Sequence, residues 1–139
     1  RNFTEDVDRS KVLTVENAMI RPVTVNVEVD GPKVALQLMR NEKVSVALAV
    51  DKQRNFKGYI QASDALEATK KGEKNLNTII RNDMLTVTKD MLIQDVLTLI
   101  SDSPTPIAVV EDGRLLGVLI RGVVLETLSS SNGNGGENL

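Results

Sequence analysis

The chain has 139 residues, a net charge of −2 and 41% hydrophobic residues, enough apolar material for one compact domain or two small ones that share a core. It contains no cysteine and no histidine, which excludes disulfides, thiolate–zinc sites and histidine-based acid–base catalysis. Aromatic residues make up only 2%, and the charges of both signs are interspersed, so nothing indicates a nucleic-acid partner. No apolar run is long enough to span a membrane.

The first residues are polar, and an amphipathic pattern begins only after them. The chain starts with Arg1 rather than Met, so we expect a piece of a longer polypeptide, with residues 1–11 as a linker from an upstream domain. Thr14 precedes a short helical pattern and has Asn17 three residues after it, which is the spacing of an N-cap and its partner.

The first half of the chain then reads strand, helix, strand, strand, helix. Alternating β-branched residues at 23–27 predict a strand, and Asp30 as the cap with Pro32 in the first turn predicts the start of a helix. An apolar strand, a polar turn, a return strand and a helix stopped by Gly72 follow at 46–50, 51–55, 56–60 and 62–71.

The same order returns about 60 residues later. The predicted elements are strands at 85–88, 106–111 and 115–120, a helix carrying the stripe Ile93, Val96, Leu97 and Ile100, and a final helix at 123–128. We also expect a short helix over 76–81 in the connection, and a disordered Ser/Gly/Asn-rich tail over 129–139.

Two stretches carry the repeat most clearly. KGYIQASDAL at 57–66 and LGVLIRGVVL at 116–125 have the same shape 59 positions apart, each with a glycine inside its strand. The repeat predicts an α/β (α+β) fold of two units, each strand-helix-strand-strand-helix, packed about a pseudo-twofold axis. The expected limits are 1–11 for the linker, 12–74 and 75–128 for the two repeats, and 129–139 for the tail.

This order, the period and the Gly-x-x-x-x-x-Asp of GYIQASD resemble a tandem pair of cystathionine-β-synthase (CBS) domains, known as a Bateman module. The segments VDRSKVLT, ENAMIRP, DGPKVALQLM and LLGVLIRG further resemble the C-terminal regulatory region of the ATP-binding subunit of glycine betaine/proline (osmoprotectant) ABC importers. The phosphate-binding loop of an ATPase, G-x-x-x-x-G-K-[ST], is absent, so we expect this piece not to be an enzyme.

The resemblance implies where a regulatory ligand would bind. Asp64 corresponds to the aspartate that holds a nucleotide ribose in CBS pairs, and the alternative is that Ser63 or Asp64 simply caps the following helix. The family's Ser or Thr is replaced by Gln61, and the second repeat has Ile120 and Val123 at the two polar positions. Cyclic di-AMP, which a relative of this module binds at a two-chain interface, is therefore the expected ligand, with an adenine nucleotide as the other candidate.

The candidate ligand-binding residues are Val23, Val44, Ser45, Asp64, Thr105, Val118, Ile120 and Arg121. Arg121 is the expected phosphate partner because its guanidinium is always charged and forked. For Val118 and Ile120 the alternative is a place in the core, and for Arg121 it is a solvated strand end. No catalytic residue, metal ligand or covalent cofactor is expected.

Two functions remain open at this point. One is a regulatory nucleotide sensor that works as a homodimer beside the upstream ATPase domain and the permease, in the cytoplasm at the inner face of the cell membrane. The other is a dimerisation or ionic-strength-sensing domain of the same transporter that takes no ligand. The transported osmolyte, the dimer orientation and the sign of regulation are not set by the sequence.

Overall fold

The computed structural model describes residues 12–137, with side chains described as far as residue 130. The predicted order of elements is confirmed in both halves. The elements are α1 (Val15–Ala18), β1 (Thr24–Asn26), α2 (Pro32–Glu42), β2 (Val46–Val50), β3 (Phe56–Gln61), α3 (Ala62–Lys70), β4 (Thr86–Val87), α4 (Ile93–Asp102), β5 (Ile107–Glu111), β6 (Arg114–Leu119) and α5 (Arg121–Glu137).

The strands form two three-stranded sheets of the same design. In the order β1-β2-β3, β1 runs parallel to β2, pairing Thr24 with Leu48, and β2 runs antiparallel to β3, pairing Leu48 with Tyr59. In the order β4-β5-β6, β4 runs parallel to β5, pairing Thr86 with Ala108. The helix between each parallel pair makes the crossover that parallel strands require. The fold is therefore mixed α/β, as predicted.

The described residues divide into two compact units, each with its own apolar core. The repeat-1 unit comprises residues 21–84 and 110–116, and the repeat-2 unit comprises 12–20, 85–109 and 117–137. The first core includes Val25, Ala35, Met39, Ala47, Ile60, Ala65 and Leu76, and the second includes Val15, Val87, Ile93, Val96, Ile107, Leu119 and Val124. Aliphatic side chains supply these cores, as the scarcity of aromatic residues requires.

The first segment of each predicted repeat packs in the unit of the other repeat. Helix α1, which the sequence groups with repeat 1, buries Val15 and Ala18 in the core of the repeat-2 unit. Leu76, which the sequence groups with repeat 2, lies in the core of the repeat-1 unit. The limits 12–74 and 75–128 therefore follow the repeat in the sequence. In the compact units, the first segment of each repeat belongs to the unit of the other repeat.

The predicted cap of helix α1 is present, whereas the predicted cap of helix α2 is not. The backbone N–H of Thr14 donates to Asn17 Oδ1 at 2.9 Å, so the predicted cap of α1 is present. Asp30 was expected to cap α2, but Gly31 occupies that position. The carboxylate of Asp30 instead accepts a hydrogen bond from the backbone N–H of Asn26 at 2.8 Å and is therefore already engaged.

Two further expectations about helices differ from the structure. The segment 76–81 is a turn, closed by the Ile79 N–H donating to the Leu76 carbonyl, because Arg81 pairs with a strand instead of continuing a helix. Helix α5 continues to Glu137 and not to Leu128, although a disordered tail was expected from residue 129. Residues 129–137 are rich in Ser, Gly and Asn, which have low helix propensity, so the local sequence does not predict this extension. The predicted linker, 1–11, lies outside the described residues.

The repeated glycine in each strand allows a chain segment to cross closely over it. A Cβ atom on Gly58, whose φ is +127°, would stand 2.2 Å from the carbonyl oxygen of Arg81. A Cβ atom on Gly117 would stand 2.9 Å from Met19 Sδ and 3.1 Å from the carbonyl oxygen of Ile20. Each repeat glycine is therefore required by the close approach of a second segment within its own unit, and the same kind of contact occurs in both units.

Candidate functional site

A pocket opens in the repeat-2 unit where β5 begins and β6 ends. Its volume is about 210 Å³. The residues that line it are Ile100, Ser103, Pro104, Thr105, Pro106, Ile120 and Arg121. Three of the predicted residues, Thr105, Ile120 and Arg121, are therefore brought together. The lining is apolar apart from two hydroxyl groups and one guanidinium, which suits a flat apolar group joined to an anion.

Arg121 lies at the start of α5, with its side chain exposed at the mouth of this pocket. Its Nη2 donates to the carbonyl oxygen of Ser101 at 2.7 Å, which ties it to the last turn of α4. The remaining N–H groups of the guanidinium fork can still donate to an incoming acceptor. The side chain is therefore exposed, hydrogen-bonded to α4 and part of the pocket lining.

The loop between α4 and β5 forms one wall of the pocket and makes hydrogen bonds within itself. The Ser103 hydroxyl donates to the carbonyl oxygen of Thr105 at 2.7 Å, and the Thr105 N–H donates back to Ser103 Oγ at 3.4 Å. Pro104 and Pro106 flank Thr105 and restrict the backbone further. This wall of the pocket is held in shape by local contacts.

Val118 and Ile120 have different environments, although both were predicted as ligand contacts. Val118 is buried, and its N–H and carbonyl oxygen pair with Ile20 at 3.0 and 2.9 Å. Its side chain does not line the pocket, in agreement with the core alternative. Ile120 is 38% exposed and faces the pocket, which leaves an apolar surface available to a ligand.

The other four predicted residues belong to the repeat-1 unit. Val23 and Val44 are half-buried and contribute to its core, whereas Ser45 is exposed. The carbonyl oxygens of Val23 and Ser45 accept hydrogen bonds from Leu48 and Ala62 at 2.8 and 2.9 Å. These residues lie at the ends of strands, in positions that correspond to the pocket end of the repeat-2 sheet.

Asp64 forms an ion pair and does not cap a helix. Helix α3 begins at Ala62, which places Asp64 within its first turn. Arg81 Nε donates to Asp64 Oδ2 at 2.7 Å, and Nη2 donates to Oδ1 at 3.3 Å. This hydrogen bond and the charge of Asp64 raise the pKa of Arg81 further above its ordinary range. A ribose contact at Asp64 would have to share this carboxylate with Arg81.

A second polar contact lies beside the ion pair. The hydroxyl of Tyr59, a residue that is 2% exposed, donates to Asp83 Oδ1 at 2.6 Å. Burial raises the pKa of Tyr59, and the hydrogen bond to the Asp83 carboxylate raises it further. The strand β3 and the segment after residue 80 are therefore joined by side chains as well as by backbone.

The sequence did not single out four of the residues that line the pocket. Ser103, Pro104 and Pro106 surround Thr105, and Ile100 was assigned only to the buried stripe of α4. The Ser-Pro-Thr-Pro run directly before an apolar strand was the available signal, since such a run fixes a turn at a strand end. No local pattern in the sequence indicated the side-chain contacts of Arg81 and Asp83, because their partners are distant in sequence.

The chain is similar to ATP-binding proteins of glycine betaine transport. It is 42% identical to the glycine betaine/carnitine transport ATP-binding protein GbuA of Listeria monocytogenes, over 95% of this chain and 33% of that protein. It is 40% identical to the glycine betaine transport ATP-binding protein OpuAA of Bacillus subtilis, over 94% of this chain and 31% of that protein. The chain spans about a third of the length of these relatives.

The family described as CBS domain matches residues 76–130. The order of elements in residues 24–70 repeats that of the matched segment. The chain is therefore similar to a tandem pair of CBS domains. Within its described residues, no helix is both long and apolar enough to cross a membrane.

Solved structures share the fold of this chain. Staphylococcus aureus OpuCA aligns with a TM-score of 0.72 at 24% identity, over 81% of this chain and 97% of that one. CbpB in complex with c-di-AMP aligns with a TM-score of 0.77 at 13% identity, over 99% of both chains. CBSX2 in complex with AMP aligns with a TM-score of 0.74 at 22% identity, over 86% of this chain and 98% of that one.

Proposed function

We propose that this CBS pair is the regulatory, nucleotide-sensing module of the ATP-binding subunit of an osmoprotectant ABC importer. The similarity to GbuA and OpuAA over nearly the whole chain supports this assignment. ATP hydrolysis then belongs to the part of the subunit outside this chain. The CBS pair itself acts by ligand binding and not by catalysis.

The pocket of the repeat-2 unit is the observation that carries the nucleotide proposal. Its apolar lining, with Ile100 and Ile120, suits the faces of an adenine ring, and Arg121 at its mouth suits a phosphate. Cyclic di-AMP combines both groups, and adenine mononucleotides are the second candidate. The fold neighbours in complex with c-di-AMP and with AMP support both chemistries.

The parent transporter gives the remaining proposed partners and the location. The module works as a homodimer, beside the upstream ATPase domain and the permease subunit, on the cytoplasmic side of the membrane. Control of transport requires that the ligand bind one dimer arrangement more tightly than another, a coupling typically worth about 1–3 kcal/mol.

The ligand is tested by thermal unfolding of the purified chain with cyclic di-AMP, cyclic di-GMP, AMP and ATP. A ligand at about 100 times its dissociation constant adds about 2.7 kcal/mol of stability, which raises the midpoint by several degrees. A shift with cyclic di-AMP alone supports the second-messenger proposal, and a shift with AMP or ATP supports an energy sensor. The absence of any shift contradicts nucleotide sensing.

The site is tested by two substitutions and a matched control. Arg121→Ala is expected to weaken binding at least about tenfold, because a charge-assisted hydrogen bond contributes about 1.5–3 kcal/mol. Asp64→Ala weakens binding only if the ribose lies in the repeat-1 unit. Arg40→Ala, an exposed arginine on α2, is the control and should bind normally. Unchanged affinity in both Arg121→Ala and Asp64→Ala would contradict the site assignment.

The ligand-free alternative is favoured by one specific observation. Asp64, the residue that the resemblance assigns to the ribose, already has a bidentate partner in Arg81. A dimerisation or ionic-strength-sensing domain has no need of a free carboxylate there. Self-association that changes strongly with salt, in a chain that binds none of the nucleotides, would establish this alternative.

A further inference from the structure

A small apolar groove, which we call the entry groove, lies in the repeat-2 unit where α4 begins. The residues that line it are Val12, Leu13, Leu92, Ile93, Gln94 and Leu128. Two of its apolar side chains are well exposed, Val12 at 51% and Leu92 at 42%. Its volume is about 90 Å³, less than half of the 210 Å³ of the pocket near Arg121. A space of this size suits an aliphatic side chain and not a nucleotide.

The backbone beside the entry groove is fixed on α4. The N–H of Ile93 donates to the carbonyl oxygen of Leu13 at 2.9 Å, and Thr14 pairs with Leu92 in an isolated bridge. Val12 therefore lies at the edge of the groove, one residue before this fixed stretch. Residues 1–11 join the repeat-2 unit at this edge.

The repeat-1 unit has a corresponding groove with a different lining. Its residues are Gly31, Pro32, Lys33, Val34, Thr69, Gly72, Glu73 and Lys74. In the repeat, the apolar residues Val12, Leu92 and Leu128 of the entry groove correspond to Glu73, Gly31 and Thr69. The chain reaches Glu73 from α3, a helix that already packs against α2 of the same unit. Three apolar residues thus replace polar ones and a glycine in the groove that the chain enters from residues 1–11.

The segment 1–11 contains two apolar residues, Phe3 and Val7, among polar and charged ones. Val7 is five residues before Val12, and five residues span at most about 17 Å, so its side chain can reach the groove. A benzene ring occupies a cavity of about 150 Å³, which makes Phe3 too large for the space. The branched side chain of Val7 is the smaller of the two and suits it.

We propose that residues 1–11 dock on the repeat-2 unit, with the side chain of Val7 in the entry groove. The driving force is the removal of Val7, Val12 and Leu92 from water. Docking does not depend on a bound nucleotide. Under the proposed function, it holds the upstream domain on the unit that also contains the pocket of Ile120 and Arg121.

An engineered disulfide in the full chain tests the docking, since the chain has no cysteine of its own. Val7→Cys is combined with Gln94→Cys, which keeps the apolar lining of the groove intact. A disulfide needs Cβ atoms about 3.5–4.5 Å apart. With oxidised glutathione, this pair should form an intramolecular disulfide at least about tenfold faster than the pair Asp8→Cys and Gln94→Cys, because burying a Val side chain favours the docked state by that factor or more.

The control pair has nearly the same tether length, so it measures chance encounters of an undocked segment. Equal rates for the two pairs would overturn the proposal. A disulfide formed mainly between two chains, seen on a non-reducing gel, would assign the groove to a second copy and would overturn it too.

A pair of charge substitutions tests the same contact without cysteines. Val7→Asp and Thr4→Asp each add one negative charge to residues 1–11, but only Val7→Asp places a carboxylate in the apolar groove. Val7→Asp should lower the urea midpoint of the full chain, and Thr4→Asp should leave it unchanged. Equal midpoints in the two variants would show that Val7 is not buried in the folded chain and would overturn the docking.

Discussion

Gly58 is the residue on which the backbone of the repeat-1 unit depends most directly. We expect Gly58→Ala to destabilise the chain by about 1–3 kcal/mol from backbone strain alone, since φ is +127°, and more from the clash with the Arg81 carbonyl oxygen. Urea unfolding measures the loss. Gly72→Ala is the control, because Gly72 also has a positive φ, +75°, but nothing lies within 4 Å of its added Cβ. Equal losses in the two variants would contradict the close-approach explanation.

Tyr59 is expected to make the folded chain less stable at alkaline pH. Its pKa is raised in the folded state above the ordinary 10.0, first by burial and then by Asp83. A group whose folded pKa is raised contributes stability that is complete below its unfolded pKa and is lost as pH rises through the folded value. We therefore expect stability to fall above about pH 10, and we expect Tyr59→Phe to remove most of that fall.

The titration of Tyr59 can be observed directly. It is the sole tyrosine, and the chain has no tryptophan, so ultraviolet absorbance of phenolate reports on this residue alone. The midpoint in the folded chain should lie above that in denaturant, and Asp83→Asn should lower it. A midpoint equal to the denatured value would show that Tyr59 is solvated and that its contact with Asp83 is absent.

At the scale of elements, the turn between β2 and β3 depends on the carboxylate of Asp51. Its oxygens accept from the backbone N–H groups of Gln53 and Asn55 at 2.9 Å and from Asn55 Nδ2 at 3.0 Å. Burial acts to raise the pKa of Asp51, but the hydrogen bonds from Asn55 and Gln53 outweigh it, and the pKa lies below the ordinary 3.8. Lys57, at 3.8 Å, lowers it further.

A carboxylate with a lowered pKa contributes stability above its unfolded pKa and loses that contribution as pH falls through the folded value. Asp51→Asn should therefore lower the urea midpoint near pH 7 and flatten the fall in stability below about pH 4. Glu67→Gln, which removes an exposed charge from α3, is the control. If Asp51→Asn matches Glu67→Gln at both pH values, the turn does not depend on this carboxylate.

The pattern of the sequence predicts these elements well but their ends less well. Alternation and helical spacing located every strand and the long helices, because local geometry imposes those periods. The predicted helix over 76–81 was wrong, since Arg81 pairs with β3, and the predicted cap at Asp30 was wrong, since Asn26 engages its carboxylate. In the first case a partner distant in sequence decided the outcome, and in the second a local contact with Asn26 took the place of the predicted cap.

At the scale of the whole molecule, the exposed apolar side chains are relevant to self-association. Leu125 on α5 is 50% exposed, so half of this large apolar side chain is left in contact with solvent. We expect Leu125→Glu to weaken the proposed homodimer while leaving the unfolding midpoint of the dilute chain unchanged. Val29→Glu, at a residue that is 70% exposed in the repeat-1 unit, is the control.

Sedimentation velocity across a range of protein concentrations, with and without cyclic di-AMP, measures the association. The nucleotide should lower the concentration at which half of the chain is associated, because a ligand that binds only the dimer favours it by mass action. A monomer at every concentration, or a Leu125→Glu variant that associates like the wild type, would contradict the proposed dimer or its surface.

Periodicity and the repeat by themselves determined the order of elements, the mixed α/β class and the resemblance to a CBS pair. These are properties of local backbone geometry and of side chains alternating between a core and solvent, which neighbouring residues encode. Only the tertiary structure decided that Thr105, Ile120 and Arg121 line one pocket, that Val118 is buried, and that Asp64 is paired with Arg81. Those outcomes depend on which segment crosses which strand, and Asp64 and Arg81 are separated by 17 positions in the sequence, with no local signal of their contact.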